Sequence, residues 1–97
     1  MQLSYFVYIM TNQNNGTTYI GMTNDLFRRV HEHREKLYAG FSKQNGTIKL
    51  VYYEEFADVR DAIQREKRLK KWNRAWKIDL IEQTNTDWRD LWFDLNR

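Results

Sequence analysis

The sequence contains no cysteine, so disulfides and thiolate zinc sites are excluded, and nothing in it asks for an oxidising compartment. It also lacks proline, and no repeat or low-complexity stretch divides it. Its two histidines, His31 and His33, are too few and too close in sequence to build a transition-metal site by themselves. No apolar run approaches membrane-spanning length, and the first residues lack a signal-peptide pattern. These absences predict a soluble cytoplasmic protein with no membrane association. At 97 residues the chain is expected to form one domain, residues 1–97, with a core just large enough to fold without staples.

What the chain does have is aromatic bulk and unevenly placed positive charge. Trp72, Trp76, Trp88 and Trp92 fall in the last third, and each can remove a large area from water when buried. The net charge is a modest +3, but residues 60–77 hold Arg60, Arg65, Lys67, Arg68, Lys70, Lys71, Arg74 and Lys77 against Asp61 and Glu66. A basic face of this kind attracts a polyanion and gives salt-sensitive binding. A solvated helix surface is the commoner explanation of such a run. Trp72 and Trp76 interleave with the charges, where they would serve either as core or as stacking surfaces for unpaired bases.

Residues 3–10 (LSYFVYIM) are β-branched and aromatic, as a central strand requires. Asn15-Gly16 signals a tight turn, and residues 17–23 supply the second strand of a hairpin. Asn24 is the expected cap of a helix from residue 25 to about 38, whose apolar stripe runs Leu26, Val30, His33 and Leu37. A polar connection at 40–46 leads to a third strand at 48–56. The helix predicted over Val59–Lys71 turns Val59, Ala62, Ile63 and Leu69 to one side, and Glu66 interrupts that stripe. A further helical segment passes through Trp76, Leu80 and Ile81. The last helix is expected to carry Trp88, Leu91, Trp92 and Leu95 at i, i+3, i+4 and i+7, capped by Asp87 or Thr86. The fold class predicted is α+β: a small three-stranded antiparallel sheet flanked by helices.

Arg29 and His33 are four apart, so they project from one side of their helix at the edge of its apolar stripe. A partly buried guanidinium needs an anion beside it, and a phosphate fits with a bidentate geometry that lysine cannot copy. Arg28 and His31 point away by about a hundred degrees, leaving Arg28 a solvent or phosphate contact. Glu66 is either neutralised by a neighbouring Lys or Arg, or is an oxygen ligand for Mg²⁺, which takes one or two carboxylates and completes its shell with water and phosphate. Tyr8 and Tyr19 belong naturally in strands, yet a phenol near a metal or cation can take a proton from water. Gly21 is expected to let backbone and substrate approach closely where strand meets helix.

This set of residues resembles the GIY-YIG nuclease superfamily, which includes phage-type homing endonucleases and the N-terminal domain of a bacterial excinuclease. Tyr8 in FVYIM matches the tyrosine of the first half-motif, and Tyr19-Ile20-Gly21 matches the second. Arg29, His33 and Glu66 match the family's arginine, the histidine that many members carry, and the metal-binding glutamate. The likeness covers residues 3–82, and REKRLKKWNRAWKIDLIE followed by TDWRDL most resembles the small stand-alone bacterial branch. Phe6 replaces the glycine of the first half-motif. Many members also carry an asparagine after the glutamate, whereas this segment reads KIDLIE, with Asn73 and Asn85 at other offsets.

The resemblance implies a GIY-YIG-like fold and Mg²⁺-dependent hydrolysis of phosphodiester bonds in DNA, with Mn²⁺ as an alternative ion. Glu66 would hold the metal and Arg29 would stabilise the transition state. Tyr8, assisted by His33, is the first choice to take the proton of the attacking water, and Tyr19 would position that water or the phosphate. Nucleic acid would run over Arg28, Arg65, Arg68, Lys70, Lys71, Arg74 and Lys77. Substrates are expected among branched, flapped or damaged DNA in repair or recombination, with targeting by the domain's own surface, a protein partner or a homodimer. The alternative is a non-catalytic nucleic-acid-binding module that retains the fold. A third reading, an interaction domain built on the aromatic C-terminal helix, is favoured if Trp88 and Trp92 are exposed and loses its main support if both are fully buried.

Overall fold

The computed structural model describes residues 3–13, 16–35 and 46–95. Strands β1 (Tyr5–Thr11), β2 (Thr18–Thr23) and β3 (Lys49–Phe56) form one antiparallel sheet in the order β2-β1-β3. β1 is therefore central, as its unbroken aromatic and β-branched sequence requires, and Val7 to Met10 are fully buried. The hairpin's register sets Tyr8 opposite Gly21 and Ile9 opposite Ile20. Of the expected Asn15-Gly16 turn, Asn15 lies outside the described residues; Gly16 closes the turn by donating its N–H to the Gln13 carbonyl at 3.0 Å.

Between β1 and β3 the register skips Val51, because Ile9 pairs with Tyr52 but Met10 with Leu50. The carbonyl of this bulged residue accepts a hydrogen bond from the Asn85 side chain at 3.1 Å. The neighbouring edge of β3 is covered by the C-terminal segment: Leu91 N–H donates to the Leu50 carbonyl, and Leu50 N–H donates to Asp90. An edge that would otherwise be open to pairing is closed in this way.

Helices cover both faces of the sheet. Helix α1 (Leu26–Arg34) and the short α4 (Trp92–Leu95) lie over Tyr8, Met10 and Leu50. Helices α2 (Val59–Lys71) and α3 (Arg74–Thr84) bury Ala62, Leu69, Leu80 and Ile81 against Val7, Ile9, Ile20 and Val51. The expected α+β arrangement is the observed one. Two details differ. Asp25, not Asn24, caps α1 by accepting from Arg28 N–H, since an aspartate one residue later reaches the same orphan donors. Residues 36–38 of that predicted helix, and 40–45 of the connection, lie outside the described residues.

The second difference concerns the last helix, which starts at Trp92 rather than near Trp88. Trp88 takes a left-handed backbone (φ 56°) and is buried, with its indole N–H donated to Glu82. Asp90, not Asp87 or Thr86, receives the Trp92 N–H. The periodicity is helical, but Asn85 holds the Arg89 N–H and carbonyl and so fixes a turn across the segment. Asp90 also receives Arg34 in a short ion pair that ties the end of α1 to the C-terminal segment.

Candidate active site

β2 has little side-chain bulk at Gly21, and the pairing with Tyr8 explains why. A Cβ there would fall 2.5 Å from the Tyr8 hydroxyl oxygen, 2.6 Å from its Cζ and 3.0 Å from Tyr19 Cε2. The space expected to admit substrate is filled instead by the protein's own phenol ring. Glycine is required so that Tyr8 can lie across β2 toward α1.

α1 meets that ring with His33. The Tyr8 hydroxyl lies 3.1 Å from His33 Nε2, and both residues are almost wholly removed from solvent. Tyr19 completes the group, with its ring centroid 5.0 Å from His33 and 6.3 Å from Tyr8. Burial, the Arg29 charge and, in opposition, the Glu32 charge bring the His33 pKa down to about 4. The imidazole is therefore neutral near pH 7, and its tautomer decides which of Nε2 and the Tyr8 hydroxyl donates across the contact.

Arg29 projects from the same side of α1, as its spacing from His33 predicts, and its side chain is 25% exposed. The anion it needs is within the helix: Arg29 Nε donates to Glu32 at 3.1 Å, and the more exposed Arg28 approaches the same carboxylate at 3.5 Å. Glu32 does not stand out in the sequence, although its i+3 spacing is an available signal.

Tyr19 also lines a cleft of about 280 Å³ with Thr18, Ile20, Lys70 and Lys77. Tyr8 is sealed, whereas Tyr19 reaches a solvent-open space walled by two lysines. Glu66 pairs with one of the cleft-lining residues, Lys70, whose Nζ lies 3.3 Å from its carboxylate. Among the described residues no three His, Asp or Glu side chains gather into a metal cluster. A cation held by Glu66 would have that one carboxylate with water and substrate oxygens, a sparse donor set that Mg²⁺ accepts.

Residues 4–79 match the family model of the GIY-YIG catalytic domain. The chain belongs to the GIY-YIG family. It is 37% identical over 76 residues to UPF0213 protein CPE1444 of Clostridium perfringens, covering 78% of this chain and 81% of that one. It is 34% identical over 80 residues to UPF0213 protein YazA of Bacillus subtilis, covering 82% and 80%. The solution NMR structure of UPF0213 protein BH0048 from Bacillus halodurans has the same fold, with a TM-score of 0.57 at 25% identity over 90% of this chain and 92% of that one. A GIY-YIG domain places the chain in a nuclease-type family and implies nucleic acid as its substrate class. No helix among the described residues is long and apolar enough to cross a membrane.

The basic residues divide within this GIY-YIG framework. Lys70 and Lys77 face the cleft, and Arg68 and Lys71 are exposed. Arg74 binds the Gly16 carbonyl at 2.9 Å and so fastens α3 to the hairpin turn. Arg65, expected among the phosphate contacts, is paired within the fold. Its guanidinium forms a fork with Glu54 at 2.9 and 2.8 Å and lies 5.3 Å from the Trp72 ring centre. Burial pushes the Glu54 carboxyl up, but hydrogen bonds from Arg65 and Tyr52 and the Arg65 charge hold it below its ordinary value.

Both nearby asparagines have structural duties. Asn73 caps α3 by accepting from Trp76 N–H, and Asn85 is buried on Val51 and Arg89. The interaction-domain reading loses half of its support, since Trp88 is buried; Trp92 is partly covered and stacks on Phe27 with ring centres 5.2 Å apart.

Proposed function

We propose that this protein is a metal-dependent DNA endonuclease acting as one domain in the cytoplasm. The observation that supports it most is the Tyr8–His33–Tyr19 cluster, which presents Tyr19 to a cleft walled by Lys70 and Lys77. Bound at Glu66, Mg²⁺ (or Mn²⁺ in its place) would supply Lewis-acid polarisation of the scissile phosphate and stabilise the leaving 3′-oxygen. Tyr19 positions the attacking water and takes its proton; its place on the cleft, whose lining does not include the buried Tyr8, supports this role. Tyr8 and His33 hold the Tyr19 ring from behind, and the neutral imidazole keeps positive charge out of the buried layer.

Arg29 stabilises charge on the phosphate in the transition state, exchanging part of its pairing with Glu32 for the substrate. Lys70 and Lys77 neutralise the flanking backbone. Family precedent predicts 5′-phosphate and 3′-hydroxyl ends, and branched or flapped DNA in repair as the setting. The test is incubation with Mg²⁺ or Mn²⁺ and duplex, flap and junction DNA, with analysis of the product ends. Cleavage abolished by Glu66→Ala supports the proposal, and absence of any Glu66-dependent cleavage rejects it.

The second reading, a binding module that retains the nuclease fold, is favoured by the Glu66–Lys70 ion pair and by the structural duties of Asn73 and Asn85. It predicts salt-sensitive binding that Glu66→Ala leaves unchanged.

A further inference from the structure

The junction between α2 and α3 turns Lys70 and Lys77 toward the cleft and sets two tryptophans around a separate cavity. Trp72 ends α2, and Asn73 caps α3 through the Trp76 N–H. The two indoles meet edge to face, with centres 5.8 Å apart and planes at 89°. Their environments differ. Trp72 is partly buried against the core and backed by Arg65, itself clamped by Glu54. Trp76 is 55% exposed, although it is the larger kind of side chain that a small fold gains most from burying.

A cavity of about 270 Å³ opens beside this pair, lined by Trp72, Trp76, Asp79, Leu80 and Gln83. Trp76, Asp79, Leu80 and Gln83 recur at i, i+3, i+4 and i+7, so one stripe of α3 supplies an aromatic wall, an apolar floor and two polar groups. This is the make-up of a site for a flat heteroaromatic ligand with polar edges: a π-face to stack on and a few placed hydrogen-bonding groups.

We propose that this cavity receives one unpaired nucleobase of a DNA strand whose neighbouring phosphates follow the basic segment past Lys70 and Lys77. The proposal rests on the nuclease reading only in taking nucleic acid as the ligand. Charge selects the occupant. The Asp79 carboxylate repels a phosphate, so the backbone stays on the lysine side and the base enters. A carboxylate accepts hydrogen bonds and donates none, so it favours the amino group of cytosine over thymine, whose one donor, N3–H, lies between two carbonyl oxygens that a carboxylate repels. Gln83 offers a donor and an acceptor and adds no charge. Trp76 is exposed because its partner is the base.

The experiment follows intrinsic tryptophan fluorescence in metal-free buffer as oligodeoxycytidine, oligothymidine or blunt duplex DNA is added to the whole protein. The wild type is expected to be quenched by oligodeoxycytidine more strongly than by oligothymidine. Trp76→Ala should weaken single-strand binding by about 5- to 150-fold, the effect of losing one stacked base. It should leave duplex binding intact, and Trp76→Phe, which keeps an aromatic face, should stay near the wild type. Asp79→Asn should remove the preference for oligodeoxycytidine. Unchanged single-strand affinity in Trp76→Ala would overturn the proposal, as would an equal loss on duplex. Because no metal is present, failure to cleave DNA leaves this test standing. Equally, Glu66-dependent cleavage of duplex with an inert Trp76 would reject the base site alone.

Discussion

The hydroxyl of Tyr8 and Nε2 of His33 lie 3.1 Å apart in a layer closed to solvent, one from the central strand and one from the helix that covers it. Such a contact between two polar groups is stabilising only while the imidazole stays neutral, since a buried cation there would face Arg29. The His33 pKa of about 4 follows from this placement.

Stability should therefore fall as the solution is acidified from about pH 6.5 to 4. In that window the unfolded chain binds a proton at His33 that the folded chain refuses; above it neither state binds one, and below it both do. The full effect is at most roughly 3 kcal/mol. Urea unfolding at stepped pH checks it: His33→Asn should flatten the slope in this window, and an unchanged slope would contradict the burial argument.

Gly21→Ala should disrupt the same layer. The new methyl falls on the buried end of the Tyr8 ring, which has no room to withdraw. Overpacking of this kind costs about 1–3 kcal/mol. A lower melting temperature together with lost cleavage is expected, whereas a variant as stable as the wild type would mean that the ring can move aside.

Arg65 tests the division of the basic segment. Arg65→Lys removes the planar fork to Glu54 and should destabilise the fold by about 1–3 kcal/mol. The affinity of the folded fraction for DNA should barely change. By contrast, changing Lys70 and Lys77 together should weaken binding and reduce its salt dependence with little loss of stability. A result with the two phenotypes exchanged would restore Arg65 as a phosphate contact.

Much of this is legible in the sequence because the relevant signals are local. The strands of the hairpin follow from β-branched and aromatic runs, and α2, which ends at Lys71, from an apolar stripe whose Ala62 and Leu69 are buried. Arg29 and His33 share a side by spacing alone. The C-terminal segment misleads because its helical periodicity competes with contacts far away in sequence: Asn85 on Val51, and Asp90 on Arg34 and Leu50. The duty of Gly21 is hidden for the same reason, since it depends on the register with Tyr8. Arg65 looks like one more surface cation until β3 brings Glu54 to it.

Glu66→Ala should leave the fold almost unchanged, because an exposed lysine four residues on is worth only a few tenths of a kcal/mol as a partner. Circular dichroism and melting would check this, and a large loss of stability would assign Glu66 a structural role instead.

The most direct measurement is the cleavage rate on end-labelled flap DNA during a Mg²⁺ titration, for the wild type, Glu66→Ala, Arg29→Ala, Tyr19→Phe and Tyr8→Phe, each shown to be folded. The account predicts metal-dependent cutting that Glu66→Ala, Arg29→Ala and Tyr19→Phe abolish, and that Tyr8→Phe, which keeps the buried ring, only reduces. Binding without cutting at any Mg²⁺ concentration, or cutting indifferent to Glu66 and Tyr19, would contradict it.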